Sequence, residues 1–406
     1  MDARPERPAD ACHTGRARRG RVRSTGEPDR RSPLRVVLTG GGTGGHTSAG
    51  LALATALRAR LGEQVALAWI GSHGGLEATQ APAAGIPYYP ISTGKLRRQL
   101  ALRNVTDLAL RVPAGLVQAW RLLGRLRPDV VVATGGFVAV PTAVAAALRR
   151  RPLLVHEQVV VPGLANRAIA RLADRVAVSF AAASVAFPAA KVVVTGNPIR
   201  PELLGGRRET GFTRFGLDPA TPLLYVTGGA QGAHRLNRVV GAALPGLLAE
   251  CQVVHQSGDN AFGDPDWLAG QAALLPPALR RRYRVVPFVT DALPDLYAAT
   301  SLVVGRAGAG TVTELAALGL PAILVPLPGA RGDEQTANAR VLADAGAALL
   351  LPESALAPEP LVALVRELVH DPDRLAEMSR RARTLARSDA ATRLVDLILV
   401  LAARLG

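Results

Sequence analysis

Leu34-Arg35-Val36-Val37-Leu38-Thr39-Gly40-Gly41-Gly42-Thr43-Gly44-Gly45-His46 decides the fold: an apolar strand-like run stops at a glycine-rich turn, and a helical pattern follows at once. The same unit returns as Leu223-Leu224-Tyr225-Val226-Thr227 before Gly228-Gly229-Ala230-Gln231-Gly232. It returns again as Leu302-Val303-Val304 before Gly305-Arg306-Ala307-Gly308-Ala309-Gly310-Thr311. Such a turn lets backbone N–H groups approach an anion closely, and the helix behind it adds the positive end of its dipole. Three of them imply a protein that handles phosphate or diphosphate on two α/β domains.

Working outward, strands are expected at 65–70, 129–134, 153–156, 175–179 and 191–195, with helices at 49–61, 106–126, 141–148 and 163–172. Short apolar strands between helices imply parallel pairing with both sheet faces covered. The alternation restarts with strands at 223–227, 252–256, 284–287, 302–305, 322–326 and 348–351, and helices at 232–249, 291–298, 310–318, 333–345 and 360–369. The expected division is a disordered basic arm (1–33, equally an over-extended translation start), a first doubly wound domain (34–198), a linker (199–222), a second doubly wound domain (223–375) and a C-terminal helical segment (376–406). Ligands of such sheets bind beyond the carboxyl ends of the strands, so the two domains should face each other across a cleft.

A length of 406 residues suits two cores rather than one. The formal net charge of +16 is carried almost wholly by arginine, since only Lys95 and Lys191 are lysines. It favours an anionic surface, and lipid before nucleic acid, because no basic recognition helix, zinc-ligand spacing or aromatic stacking platform is present. Cys12 and Cys251 offer no disulfide framework, which fits a reducing cytoplasm. No apolar run approaches the ~18 residues of a membrane span, and the N-terminus has no apolar signal core, so membrane contact should be peripheral. Arg97, Arg98, Arg103 and Arg111, with Lys95, alternate with leucines ahead of Trp120, a pattern that suits an anionic interface or a plain amphipathic core helix.

Gly40, Gly42 and Gly45 satisfy the dinucleotide fingerprint, but the second strand ends Ile70-Gly71-Ser72-His73 without the ribose-holding acid, which disfavours a dehydrogenase. His46 either caps and packs its helix or serves as a general base kept neutral by the helix N-terminus. Glu314 either forms a capping box with Thr311 or offers its carboxylate to a ribose diol. Arg200 is a solvated side chain or a fork for a diphosphate. Gln335 and Asn338 would present amides to sugar hydroxyls. Asp264-Pro265-Asp266 imitates a metal motif but reads as a turn in a Gly/Pro loop, so no metal is expected.

Together these residues resemble the MurG family, the UDP-N-acetylglucosamine transferases that convert lipid I to lipid II in peptidoglycan synthesis. The resemblance rests on Gly41-Gly42-Thr43-Gly44-Gly45-His46, Gly135-Gly136-Phe137-Val138, His156-Glu157-Gln158 and Gly196-Asn197-Pro198-Ile199-Arg200. In the second half it rests on Gly228 to Ala233, Arg306 to Leu315 and Gln335-Thr336-Ala337-Asn338-Ala339. It implies the GT-B architecture, two Rossmann-like doubly wound parallel-sheet domains facing a central cleft. It implies His46 and Glu314 as catalytic residues, the first as base and the second holding the ribose. Gly42, Thr43, Gly44, Gly45, His46, Gly135, Gly136 and Phe137 would receive the lipid acceptor. Thr43, Gly44, Arg200, Ala230, Gln231, Gly232, Val289, Ala309, Gly310, Thr311, Glu314, Glu334 and Gln335 would bind the donor.

The implied activity is inverting transfer from UDP-GlcNAc to the 4-hydroxyl of a polyprenyl-diphosphate acceptor, with neither cofactor nor metal. It would occur at the cytoplasmic face of the membrane, by a peripheral protein with a cell-wall or division complex as partner. The chain departs from the family pattern at Val159 (usually Asn), Ala230 (Ser), Ala49 (Pro), Phe137 (Tyr) and Glu334 (His or Gln). Those departures keep open a paralogue moving another UDP-sugar to a lipid or natural-product acceptor and a non-catalytic nucleotide-sugar binder, and the shared architecture keeps open a UDP-GlcNAc 2-epimerase.

Overall fold

The computed structural model describes residues 32–94 and 111–405. Residues 1–31 of the expected arm, with Cys12, and 95–110, which hold Lys95 to Arg103 of the basic stretch and the start of the helix expected at 106–126, lie outside the described residues. The first domain runs β1 (Leu34–Gly40), α1 (Gly44–Leu61), β2 (Val65–Ser72), α2 (Glu77–Ala83), β3 (Tyr88–Ile91), α3 (Val112–Leu126), β4 (Val130–Gly135), α4 (Ala139–Leu148), β5 (Leu153–Glu157), α5 (Leu164–Ala170), β6 (Arg175–Val178) and β7 (Val192–Val194). Its strands pair in parallel in the order β3-β2-β1-β4-β5-β6-β7.

After α6 (Arg208–Phe215), the second domain runs β8 (Leu223–Thr227), α7 (His234–Glu250), β9 (Gln252–Gln256), α8 (Asp264–Ala273), α9 (Pro277–Arg280), β10 (Tyr283–Val286), α10 (Leu293–Ala299), β11 (Leu302–Gly305), α11 (Ala309–Leu318), β12 (Ala322–Leu324), α12 (Glu334–Ala343) and β13 (Ala348–Leu350). Helices α13 (Pro358–Val369), α14 (Pro372–Thr384) and α15 (Ala390–Ala402) follow. This sheet is also parallel, in the order β10-β9-β8-β11-β12-β13. Strand order reverses between β1 and β4 and between β8 and β11. The glycine turns that follow these four strands therefore sit at the two switch points, where such sheets bind ligands.

Several elements differ from the sequence reading. Strand β3 contains Pro90 and sits at the sheet edge, where a missing N–H is tolerated but the sequence signal is weak. The stretch expected as a linker folds into a 3-10 turn (Pro201–Gly205) and α6, tied down where the Arg207 amide donates to Asp295 Oδ1 at 2.9 Å. Asp264-Pro265-Asp266 is not a turn but the first turn of α8.

Helix α15 leaves the second domain and completes the first domain's core. Its Leu394, Val395, Ile398 and Leu401 pack with Val36, Leu38, Leu57 and Trp69. The chain thus crosses between domains twice, and the crossings touch. Gly196 has φ +89°, and a Cβ on it would lie 2.8 Å from Arg387 Cβ and 2.9 Å from Ala390 Cβ. Gly196→Ala is expected to lower stability by about 1–3 kcal/mol, the usual cost of a side chain forced into that backbone region. Thermal unfolding checks this, and an unchanged melting temperature would refute the account of the crossing.

Candidate active site

The first glycine turn is built around a buried carboxylate that sequence reasoning missed. Glu77 is fully buried, and its Oε2 accepts from the Gly42 amide at 3.3 Å. Its Oε1 accepts from the Ser72 hydroxyl at 2.6 Å. A Cβ on Gly41 would fall 2.2 Å from Glu77 Cδ, so the close approach requires glycine there. The Gly41 amide donates to Gly135 O at 3.3 Å. Gly42 therefore cannot offer its N–H to an acceptor diphosphate as expected, because Glu77 holds it. The amides of Gly44, Gly45 and His46 precede the first α1 helical bond, Thr47 N–H to Thr43 O, and are not used within the helix.

His46 stands in that first turn of α1. Its ring lies against the Gly135–Gly136 backbone, where a Cβ on Gly135 would be 2.9 Å from its Cε1 and Nδ1. Nδ1 sits 2.8 Å from Gln158 Oε1. Burial pushes the imidazole below its usual range, against the hydrogen bonds to Gln158 and to the Thr134 backbone and the charges of Glu334 and Glu77, so it is neutral at pH 7. The capping alternative is not realised: the N-cap is Thr43, and no side chain caps this helix.

On the donor side, Glu314 accepts from the Tyr297 hydroxyl at 2.9 Å rather than closing a box with Thr311, and α11 is capped at Gly308. Burial raises the Glu314 pKa, while the Tyr297 hydrogen bond and the Arg200 charge pull it down. One cavity is lined by Gly45 and Ser48 from α1, Asn197 and Arg200 from the interdomain link, and Gly310 and Glu314 from α11. The N-terminal ends of two helices, one from each domain, thus converge beside an arginine. Asn197 donates to Thr313 Oγ1 at 3.4 Å, and its Oδ1 is buried without a partner, the kind of orphan a ligand hydroxyl or N–H satisfies.

Other expected donor contacts are changed by their surroundings. The Gly232 amide closes the second turn on Gly229 O at 3.1 Å, which leaves the exposed Ala230 and Gln231 at its tip. The Val289 side chain packs in the domain core, and its amide donates to Gln256 Oε1 at 3.0 Å, so only its carbonyl is left to border a base. Gln335 Oε1 accepts from the Leu327 amide at 2.9 Å, leaving its amide nitrogen for a sugar. Asn338 does not serve a sugar. Buried at 1% exposure, it accepts from the Val160 amide and donates to Ala307 O, each at 3.1 Å, and so bridges the domains. Thr311 and Ala309 stand in the first turn of α11, and Glu334 opens α12, close enough for its charge to reach His46.

Asp264 is fully buried and its carboxylate is saturated, by His234 Nδ1 and Asn237 Nδ2 at 2.8 Å each and by Asn260 Nδ2 at 3.0 Å. It pins α8 to α7. Among the described residues no group of three or more His, Cys, Asp or Glu side chains is placed to hold a metal ion. On the first domain's outer face, Val117, Trp120 and Leu148 are 48%, 46% and 64% exposed, and the Arg149 guanidinium lies 3.9 Å over the Trp120 ring. Among the described residues no helix is long and apolar enough to cross a membrane.

The glycosyltransferase family 28 N-terminal domain model matches residues 36–178, and the family's C-terminal domain model matches 223–394. A Nocardioides protein named UDP-N-acetylglucosamine–N-acetylmuramyl-(pentapeptide) pyrophosphoryl-undecaprenol N-acetylglucosamine transferase is 45% identical over 377 residues, covering 91% of this chain and 98% of the relative. A Salinibacter ruber protein of the same name is 40% identical over 371 residues, covering 91% and 97%. Among solved structures, Acinetobacter baumannii MurG superposes with a TM-score of 0.69 at 32% identity, covering 90% of this chain and 99% of that one.

Proposed function

We propose that this chain, which belongs to the MurG family within glycosyltransferase family 28, transfers GlcNAc with inversion from UDP-GlcNAc to the 4-hydroxyl of MurNAc in undecaprenyl-diphospho-MurNAc-pentapeptide. The product is lipid II, for peptidoglycan synthesis. The observation that carries the reading is the convergence of the α1 and α11 N-termini with Arg200 and Glu314 on one cavity, together with a neutral His46 next in the chain to Gly45 of its lining.

His46 takes the proton of the acceptor hydroxyl as its oxygen bonds to the anomeric carbon, and the bond from that carbon to the β-phosphate oxygen breaks on the opposite face. The departing diphosphate is met by Arg200, the tip of the second turn and the first-turn amides of α11, dipoles fixed before reaction. Glu314, steadied by Tyr297, accepts from the ribose hydroxyls. The acceptor's own diphosphate sits on the Gly44–His46 amides. With the charge of both diphosphates met by protein groups, the reaction needs no metal.

The polyprenyl tail of the acceptor calls for membrane contact. Val117, Trp120 and Leu148, flanked by Arg121, Arg125, Arg149 and Arg150, suit the anionic cytoplasmic face of the membrane, with a cell-wall or division complex as neighbour. The test is transfer of labelled GlcNAc from UDP-GlcNAc to a short-chain lipid I analogue in the presence of a chelator. Labelled disaccharide lipid and UDP should form in equal amounts, at a rate the chelator does not alter. UDP release without acceptor, or transfer only from a different UDP-sugar, would contradict the proposal.

A further inference from the structure

The hydrogen bonds around Gln158 form a chain whose proton positions can be read from valence alone. Gln158 Nε2 lies 3.0 Å from the His156 carbonyl oxygen and 3.0 Å from His156 Nδ1. A carbonyl only accepts, so the Gln158 nitrogen must face it, and the flipped amide would set two oxygens against each other. The two amide hydrogens are then both committed, one to His156 O and one to His156 Nδ1. The His156 proton accordingly resides on Nε2, which lies 3.2 Å from the Gly196 carbonyl, a second group that only accepts. Burial holds the His156 pKa down to about 4, so its Nδ1 keeps the lone pair that this arrangement uses.

At the other end of the amide, Gln158 Oε1 faces His46 Nδ1 at 2.8 Å. An amide oxygen carries no proton, so the hydrogen in that contact belongs to His46. We infer that Gln158 is a positioning residue that fixes His46 as the Nδ1–H tautomer and leaves Nε2 without a proton. Two backbone carbonyls, His156 O and Gly196 O, set the orientation of both intervening side chains. The second of these belongs to the glycine that opens the interdomain link leading to Arg200.

Free histidine favours the opposite tautomer, so removing the amide should release the proton to Nε2, the nitrogen a base must keep free. Gln158 is 2% exposed, and among the described residues its side chain makes no hydrogen bond other than these. The inference deepens the reading of His46 as the base and rests on it for its consequence in turnover. The tautomer itself can be read without any activity.

The test uses the full chain with ring-¹⁵N-labelled histidine, observed by NMR above the titration of His46, whose signals are identified by their loss in His46→Gln. Wild type should show a protonated Nδ1 and an unprotonated Nε2. In Gln158→Met the population should move toward Nε2–H and kcat should fall about tenfold or more, with the 10²–10⁴ that a positioned base contributes as the ceiling. The KM for UDP-GlcNAc should hold. In a His46→Ala background Gln158→Met should cost no further activity. A wild-type His46 with its proton on Nε2 would overturn the assignment, and the wild-type spectrum needs no Gln158 variant to fold. So would an equal loss of activity from Gln158→Met with or without His46. If the tautomer is as assigned and His46→Ala still turns over normally, the positioning stands and the reading of His46 as base fails.

Discussion

Replacing His46 by alanine is expected to lower kcat by about 10²–10⁴-fold, the contribution of a positioned general base. The KM for UDP-GlcNAc should barely change, because the ring lies against Gly135 and Gly136 on the acceptor side, away from the Arg200 and Glu314 side chains that hold the donor. The wild-type pH profile carries the same information. Burial lowers the His46 pKa from its ordinary 6.5, so the free base persists at pH 7, and kcat/KM should fall only as pH drops through a midpoint below that value. An acid limb centred above 6.5, or an alanine variant that keeps its acid limb, would place the base elsewhere.

Arg200→Ala is the second large effect, on the order of 10²–10³ in rate if one preorganised donor to the developing charge is lost. Arg200 is exposed, so solvent screens its charge until the donor covers it, and the loss should appear in kcat and in UDP product inhibition together. Arg200→Lys should recover little, because the planar fork that meets two phosphate oxygens at once is gone. Arg200→Ala also removes the charge that pulls the Glu314 pKa down, leaving burial to raise it further. Donor affinity should then weaken more steeply toward acid pH than in wild type. Turnover near the wild-type rate in Arg200→Ala would remove this residue from the mechanism.

Much of this architecture was legible in the chain. Each glycine turn was visible because strand, breaker and helix are adjacent in sequence, and the switch points followed from parallel pairing. What escaped depends on groups far apart in sequence. Glu77 meets the first turn from 35 positions away, and nothing local marks it as buried. Asn338, read as a sugar contact, reaches across 178 positions to the Val160 amide, a use its spacing to Gln335 could not reveal. Asp264 looked like part of a turn because its partners His234 and Asn237 lie on another helix. His156-Glu157-Gln158 was recognisable as a motif, yet the role of its glutamine depends on which atom faces which carbonyl. The return of α15 to the first domain was equally hidden, since an amphipathic helix does not name the core it will join.

Titration of UDP into the full chain by calorimetry addresses the cavity between the two helix N-termini without requiring lipid or turnover. Saturable binding of one UDP per chain, weakened in Arg200→Ala, is the predicted result. Absence of measurable association up to millimolar UDP would contradict a uridine diphosphate held by Arg200, Glu314 and the α11 amides.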